Sequence, residues 1–137
     1  MHTVYLAFGT NLGDKEENIT EAYRQVEFYV GNIKHRSSII ETEPWGFESE
    51  NTFLNSVAYV ETALTPHQLL RATQHIEKVM GRKQKSNEGI YHDRIIDIDI
   101  LLYDDISINE PDLVIPHPLM QEREFVMKPL MEIKKNI

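Results

Sequence analysis

The sequence has 137 residues, of which 41% are hydrophobic and 26% are charged, and its formal net charge is −8. This composition is typical of a globular protein with one core, and we predict a single domain over residues 1–137. The absence of cysteine excludes disulfides and thiolate metal sites, and the negative charge argues against general nucleic-acid binding.

The first half of the chain shows strand and helix patterns separated by turn residues. Alternating apolar positions indicate strands, whereas apolar positions spaced by three and four indicate helices. The pattern predicts, in chain order, a strand over 3–8, a glycine-containing turn over 9–13, a helix from Asp14 that Gly31 ends as its C′ residue, and strands over 33–41 and 53–62.

Two features of this half are candidate ligand contacts. The irregular segment between the second and third strands carries Trp45 and Phe47, which either cover a ligand or pack under the core. Phe53 and Asn55 share one face of the third strand with Val57 and Tyr59. An Asn beside an aromatic ring can bind the polar edge of a planar heterocycle, or it can simply face solvent at the start of a strand.

The second half begins with a well-marked helix. Thr65 as N-cap, Pro66 at N1 and Gln68 at N3 form a predicted capping box, and Gly81 is the expected end. The rest of the pattern predicts a cationic segment over 82–93, a strand ending at Tyr103, a turn at 104–105, a short strand over 106–108, a short helix over 119–123, and a helix over 125–133 that Pro129 either breaks or does not.

Asp97 and Asp99 lie two positions apart on the strand that ends at Tyr103, so they share one face of it. The other face is predicted to hold Ile96, Ile98, Ile100 and Leu102. Two adjacent carboxylates repel each other, and a bound Mg²⁺ ion would relieve that repulsion. The alternative is that both aspartates face water. The cationic segment directly upstream favours the handling of a polyphosphate, although it could also be an ordinary charged surface loop.

The order strand–helix–strand–strand–helix–strand predicts the fold class. It is the split βαβ pattern of ferredoxin-like α+β folds, here a βαββαβ sandwich with a short C-terminal helical appendage. Because this fold supports many activities, the function has to be inferred from the residues of the site.

Seven short motifs follow one another along nearly the whole chain. They are Gly9-Thr-Asn-Leu12, Thr42-Glu-Pro-Trp-Gly46, Phe53-Leu-Asn55, Gln74-x-x-Glu77, Gly81-Arg82, Arg94-x-x-Asp97-Ile-Asp99 and Pro116-His117…Arg123-x-Phe125. In this order they resemble the 6-hydroxymethyl-7,8-dihydropterin pyrophosphokinases of folate biosynthesis. Each motif is weak alone, but seven in register are specific.

This resemblance implies transfer of the β,γ-diphosphoryl group of ATP to the pterin hydroxymethyl oxygen, with release of AMP. It implies two Mg²⁺ ions held by Asp97 and Asp99, and a further catalytic role for Arg94. The implied nucleotide contacts are Gln74, Glu77, Arg82, Lys85, Arg94, His117 and Arg123. The implied pterin contacts are Thr42, Pro44, Trp45, Gly46, Phe53, Asn55 and Phe125.

The chain departs from the family pattern just before Arg94. Residues 90–93 are Ile-Tyr-His-Asp, where relatives carry an Arg-Trp pair before the matched arginine. The cation that replaces the missing arginine is undecided between Arg82, Lys83 and Lys85. These changes affect the expected nucleotide affinity more than the expected reaction.

Two other interpretations stay open at this point. A non-catalytic ferredoxin-like binding module would explain the fold but would leave Asp97, Asp99 and the cationic segment without a role. A different magnesium-dependent nucleotide transferase with another acceptor would use all three. No segment has the apolar length of a membrane span or of a signal peptide, so we expect a cytoplasmic protein that does not bind membranes. We also expect a monomer, and the net charge argues against binding of nucleic acid.

Overall fold

The computed structural model describes residues 1–43, 52–81 and 95–134. The elements in these ranges are β1 (His2–Thr10), α1 (Lys15–Tyr29), β2 (Gly31–Arg36), β3 (Ile40–Thr42), β4 (Phe53–Thr62), α2 (Pro66–Val79), β5 (Asp97–Tyr103), β6 (Ile108–Glu110), β7 (Leu113–Ile115), a 3₁₀ turn (Met120–Glu122) and α3 (Glu124–Lys134). No helix among the described residues combines the length and the apolar character that crossing a membrane requires.

The main sheet has the strand order β2-β4-β1-β5, and β3 also pairs with β4. All of these pairings are antiparallel. The two crossover helices α1 and α2, together with this strand order, form the ferredoxin-like arrangement. The predicted α+β fold class is confirmed, and α3 is the predicted C-terminal helical appendage.

The sheet has an apolar core on each of its faces. On one face, side chains of β1 pack with those of α1 and α2, including Val4, Leu6, Phe8, Ile19, Val26, Leu69 and Ile76. On the other face the strands pack against α3, through Ala7, Val57, Leu101, Val126, Leu130 and Ile133. Each fully buried Val, Leu, Ile or Phe side chain among these stabilises the fold by about 1.5–3 kcal/mol. The site described below lies on the α3 face.

The predicted limits of the second helix are confirmed. The Thr65 hydroxyl accepts from the Gln68 amide at 3.2 Å, and the Gln68 side chain accepts from the Thr65 amide at 2.9 Å, which completes the capping box. Gly81 has a φ of +107°, a value that glycine adopts without steric cost.

Gly31 was predicted to end the first helix as its C′ residue, and this position is confirmed, because the helix runs to Tyr29 and has Val30 as its C-cap. Gly31 does not have the positive φ typical of a C′ glycine, and it is also the first residue of β2, where it pairs with Thr62. A β-carbon built on Gly31 would overlap the backbone carbonyl of Glu61. The glycine is therefore required by the close approach of two strands, which sequence periodicity does not reveal.

The predicted strand over 33–41 is interrupted in the structure, because β2 ends at Arg36 and β3 starts at Ile40. Ser37 bridges the gap. Its amide donates to the Val57 carbonyl at 2.8 Å, and its hydroxyl accepts from the Val57 amide at 2.8 Å. A side-chain oxygen thus replaces a backbone carbonyl in the ladder, and this is the local reason for the break.

β5 confirms most of the predicted alternation. Ile96, Ile98 and Ile100 lie in the core under α1 and α2. Leu102, predicted on the same face, instead packs with the cluster around α3. The pairing register between β1 and β5 shifts between Tyr5 and Leu6, and such a bulge moves the residues beyond it to the opposite face.

The C-terminal region differs from its prediction in detail. The short strand predicted over 106–108 is Ile108–Glu110, which forms a two-stranded hairpin with Leu113–Ile115. The last helix runs from Glu124 to Lys134 without a break at Pro129. The turn predicted at 104–105 is confirmed, and Asp104 has a φ of +48°.

Candidate active site

The site is assembled by the pairing register of three neighbouring strands. Gly9 of β1 pairs with Asn55 on one side and with Asp97 on the other. Ala7 pairs with Asp99. The turn predicted over 9–13 is therefore wrong at its start, because β1 continues through Thr10. The two smallest side chains of β1 thus stand beside the two aspartates, where they leave space for a ligand.

A cleft of about 580 Å³ opens above these strands. It brings together seven predicted site residues, namely Thr42, Phe53, Asn55, Asp97, Asp99, Arg123 and Phe125. It is also lined by Ala7, Phe8, Ser56 and Val126, which were not predicted as site residues, and by Gly9 and Glu43, which two of the motifs contain without an assigned ligand contact. The small residues at alternate positions 7 and 9 were a further signal for this group.

One end of the cleft combines aromatic rings with an amide. Phe53 at the start of β4 and Phe125 in the first turn of α3 both line it. Asn55 is buried, and its Nδ2 donates to the Thr42 hydroxyl at 2.7 Å, which fixes the orientation of the amide. A β-carbon on Gly9 would lie 3.2 Å from the Asn55 Oδ1, so glycine at this position makes room for the amide.

The other end of the cleft is charged. Asp99 has one carboxylate oxygen 4.0 Å from His117 Nε2 and the other 4.0 Å from an Arg123 terminal nitrogen. The Arg123 side chain is only 9% exposed, whereas that of Asp99 is 30% exposed. The Arg123 guanidinium also lies 5.7 Å from the centre of the Phe125 ring. Arg123 therefore links the acidic end of the cleft to its aromatic end.

The protonation state of His117 follows from its surroundings. The Leu119 amide donates to His117 Nδ1 at 3.2 Å, so in the neutral ring the proton is on Nε2, which faces Asp99. Burial lowers the pKa of His117, the Arg123 charge lowers it further, and the Asp97 charge partly opposes both effects. The neutral ring presents an N–H donor beside the Asp99 carboxylate.

A second groove, of about 620 Å³, opens at Asp99 from the other side of β5. Its walls are α2, β5 and the β6–β7 hairpin, and it is lined by Leu70, Thr73, Ile98, Asp99, Ile100, Pro111, Asp112, Leu113, Val114, His117 and Pro118. Asp99 lines both the cleft and this groove. Two ligands bound in them would therefore meet at Asp99.

The sequence of the chain is similar to those of known proteins. The sequence matches the family model of 7,8-dihydro-6-hydroxymethylpterin-pyrophosphokinase (HPPK) over residues 5–135. The chain belongs to the HPPK family. The resemblance inferred from the seven motifs is thereby confirmed.

Curated relatives agree with this assignment over nearly full length. A 2-amino-4-hydroxy-6-hydroxymethyldihydropteridine pyrophosphokinase from Porphyromonas gingivalis is 46% identical over 134 residues, which cover 97% of this chain and 91% of the relative. The enzyme of the same name from Aquifex aeolicus is 41% identical over 137 residues, which cover 100% of this chain and 83% of the relative.

Solved structures share the fold. The crystal structure of Plasmodium falciparum HPPK-DHPS with pteroate matches with a TM-score of 0.76 at 18% identity. The match covers 96% of this chain but only 40% of the Plasmodium chain. At this level of identity the likeness establishes the HPPK fold alone.

Two predicted nucleotide contacts lie on α2, and the structure shows a further role for one of them. Gln74 is exposed. Glu77 is buried, and its carboxylate accepts from the Ile98 amide of β5 at 2.8 Å. The carboxylate therefore binds the outer side of β5 and packs α2 against the strand that carries Asp97 and Asp99.

The effect of removing this carboxylate can be predicted. We expect Glu77→Leu to lower the free energy of unfolding by about 1–3 kcal/mol, because the buried Ile98 amide loses its acceptor. Glu77→Gln keeps an acceptor oxygen and should lose less. Urea unfolding of both variants provides the measurement. Equal stability of the leucine variant and the wild type would contradict a structural role for Glu77.

Six of the predicted site residues lie outside the described residues. Pro44, Trp45 and Gly46 were predicted to contact the pterin, and Arg82, Lys85 and Arg94 the nucleotide. Their roles stay predictions.

One further group of metal-binding side chains occurs in the described ranges. His67, Glu110 and Asp112 place their ligand atoms within 4.8 Å of one another. His67 Nε2 is already 3.2 Å from a Glu110 oxygen, and the carboxylates are more than half exposed. This group is explained as a polar contact between α2 and the β6–β7 hairpin.

Proposed function

We propose that this protein transfers the β,γ-diphosphoryl group of ATP to the hydroxymethyl oxygen of 6-hydroxymethyl-7,8-dihydropterin and releases AMP, as a step of folate biosynthesis. The observation that carries this proposal is that Asp99 lines both the cleft and the second groove. An aromatic and amide-lined cleft reaches it from one side, and a groove beside α2 and the β6–β7 hairpin reaches it from the other.

The pterin is proposed to bind in the first cleft. Its flat ring would lie between Phe53 and Phe125, and its polar edge would bond to Asn55, whose amide Thr42 holds in place. A planar heterocycle with both donors and acceptors suits this combination of rings and a fixed amide. Pro44, Trp45 and Gly46 are proposed to complete this pocket.

Magnesium ions are proposed at Asp97 and Asp99. The two carboxylates supply the oxygen ligands that Mg²⁺ prefers. They line the cleft beside Ala7 and Gly9, whose small size leaves space for the ions. Two bound ions would neutralise the charge of the transferred phosphates and lower the pKa of the acceptor hydroxyl. The donor set therefore fits the metal that the family implies.

ATP is proposed to occupy the second groove with its phosphates toward Asp99. His117 Nε2–H and the Arg123 guanidinium stand within 4.0 Å of the Asp99 carboxylate, which suits them to bind phosphate oxygens there. Gln74, Glu77, Arg82, Lys85 and Arg94 are kept as proposed nucleotide contacts, the last also as a catalytic residue. Catalysis would come mainly from positioning the reactants in line and from electrostatic stabilisation.

The decisive experiment measures AMP formation from ATP and Mg²⁺ with and without 6-hydroxymethyl-7,8-dihydropterin. We expect AMP release that requires the pterin. AMP release with a different hydroxyl acceptor would favour another nucleotide transferase, whereas ligand binding without any AMP would favour a non-catalytic module. Either result would overturn the proposal.

The aromatic and amide end of the cleft gives a selective prediction. Asn55→Ala should raise the dissociation constant of the pterin by about 10- to 100-fold, because the polar edge of the ring loses its partner. ATP affinity should stay unchanged, since Asn55 does not line the second groove. Calorimetric titration with each ligand separately checks this. Equal losses for both ligands would mean that the pterin pocket is elsewhere.

The remaining expectations are also proposals. We infer that the chain acts as a single domain, as a monomer and in the cytoplasm. Size-exclusion chromatography with light scattering tests the monomer.

A further inference from the structure

A hydrogen-bonded group of three side chains lies where β4 begins. Lys15 Nζ donates to the Thr52 carbonyl at 3.2 Å and to the Thr52 hydroxyl at 3.4 Å. The Thr52 hydroxyl in turn donates to a Glu41 carboxylate oxygen at 3.0 Å. These three residues belong to the start of α1, the residue before β4 and the middle of β3. None of them was singled out by the sequence motifs.

The position of this group relative to the cleft follows from strand alternation. Thr42 pairs with Phe53 at the end of the β3–β4 ladder, and both residues line the cleft. Glu41 and Thr52 each precede one member of this pair, so their side chains point to the opposite face of the sheet. That is the face on which α1 packs, and Lys15 is the first residue of α1. The group therefore lies directly behind the aromatic and amide end of the cleft.

The placement of Lys15 is unusual for a helix. A cation in the first turn is disfavoured by the helix dipole, and the neighbouring positions are the acidic Glu16 and Glu17, as the dipole favours. Lys15 instead extends to Thr52, whose carbonyl lies beyond the last pair of the β3–β4 ladder. The ammonium group supplies a donor to this carbonyl at the end of the ladder.

We infer that Lys15, Thr52 and Glu41 are positioning residues for the pterin pocket. They do not line the cleft, but their hydrogen bonds restrict the backbone that carries Thr42 and Phe53; we call these three residues the clamp. Their hydrogen bonds at the end of the β3–β4 ladder keep the Thr42 hydroxyl within hydrogen-bonding distance of Asn55. The same bonds fix the position of the Phe53 ring in the cleft. This inference rests on the proposed function, because the pocket it concerns is the proposed pterin pocket.

The matched pair Thr52→Val and Thr52→Ser tests this inference. Valine has the shape of threonine without the hydroxyl, whereas serine keeps the hydroxyl. We expect Thr52→Val to raise the KM for the pterin about five- to twentyfold and to leave the KM for ATP within twofold of the wild type. Thr52→Ser should restore the wild-type KM. Lys15→Met should reproduce the valine phenotype, and Lys34→Met, at an exposed surface ion pair, should not.

A second measurement keeps the inference independent of activity. Hydrogen exchange should become about tenfold faster in the β3–β4 pairs over 40–42 and 53–55 in Thr52→Val, while the β1–β5 pairs keep their protection. Unchanged exchange, or equal increases in both KM values, would overturn the inference. Absence of pterin-dependent AMP in the wild type would instead overturn the proposed function, and the exchange experiment would still decide whether the clamp exists.

Discussion

Replacement of Asp97 or Asp99 by alanine is expected to abolish pterin-dependent AMP formation, with a loss of roughly 10³-fold or more in turnover. The two carboxylates are the proposed ligands of Mg²⁺, and the phosphate charge at the junction of the two cavities would be left without neutralisation. Both side chains are partly exposed in the cleft, so their removal leaves no gap in either apolar core. The variants should therefore unfold at nearly the wild-type temperature.

The matched control for these variants is Asp105→Ala. Asp105 is an exposed carboxylate in the turn after β5, and it lines neither cavity. We expect it to keep full turnover. Initial rates of AMP release at saturating Mg²⁺ and circular dichroism melting curves provide both readouts. Full activity in Asp97→Ala or Asp99→Ala would remove the metal role from that residue.

The largest expected effect on stability comes from Gly31. Replacement by alanine should lower the free energy of unfolding by about 3 kcal/mol or more, because the new methyl group overlaps the Glu61 carbonyl and backbone has to move. A glycine that only ends a helix in a left-handed conformation would tolerate asparagine. A glycine required by close approach would not, so Gly31→Asn should be at least as unstable as Gly31→Ala.

Two control variants accompany this prediction. Gly81→Ala adds a methyl group that meets nothing within 4 Å, so its cost comes only from the positive φ and should be about 1 kcal/mol. Asn32→Ala changes an exposed neighbour on the same strand and should cost less. Chemical unfolding of all four variants gives the comparison. A Gly31→Asn variant as stable as the wild type would show that the close approach of Glu61 does not require glycine at this position.

Much of the fold follows from the sequence because its signals are local. The capping box at Thr65, the alternation of Ile96, Ile98 and Ile100, and the order of the elements are all encoded within a few residues of chain. The features that the sequence did not predict occur where a distant strand decides the outcome. Gly31, Ser37 and the bulge before Leu102 each depend on a pairing partner that periodicity does not specify.

The candidate site shows the same division. Asp97 and Asp99 were found because two carboxylates on one strand face are visible in a short stretch of sequence. Ala7 was missed, and Gly9 was recognised only as part of a motif and a turn, because a small side chain gains meaning only beside its pairing neighbours, here the aspartates of β5. Likewise, the carboxylate of Glu77 was recognised as important, but its bond to the Ile98 amide depends on how α2 lies along β5.

The backbone hydrogen-bonding groups at the edges of the main sheet determine whether the sheets of two copies can pair. On β5 the outward Ile98 amide is bound by Glu77, and the Leu101 carbonyl accepts from the His117 amide at 3.0 Å. On the opposite margin the strand is broken at Ser37. The outer margin of β5 therefore offers fewer free backbone donors and acceptors to a second sheet. Sheet-to-sheet joining between copies, a common start of aggregation, is thereby disfavoured at this margin.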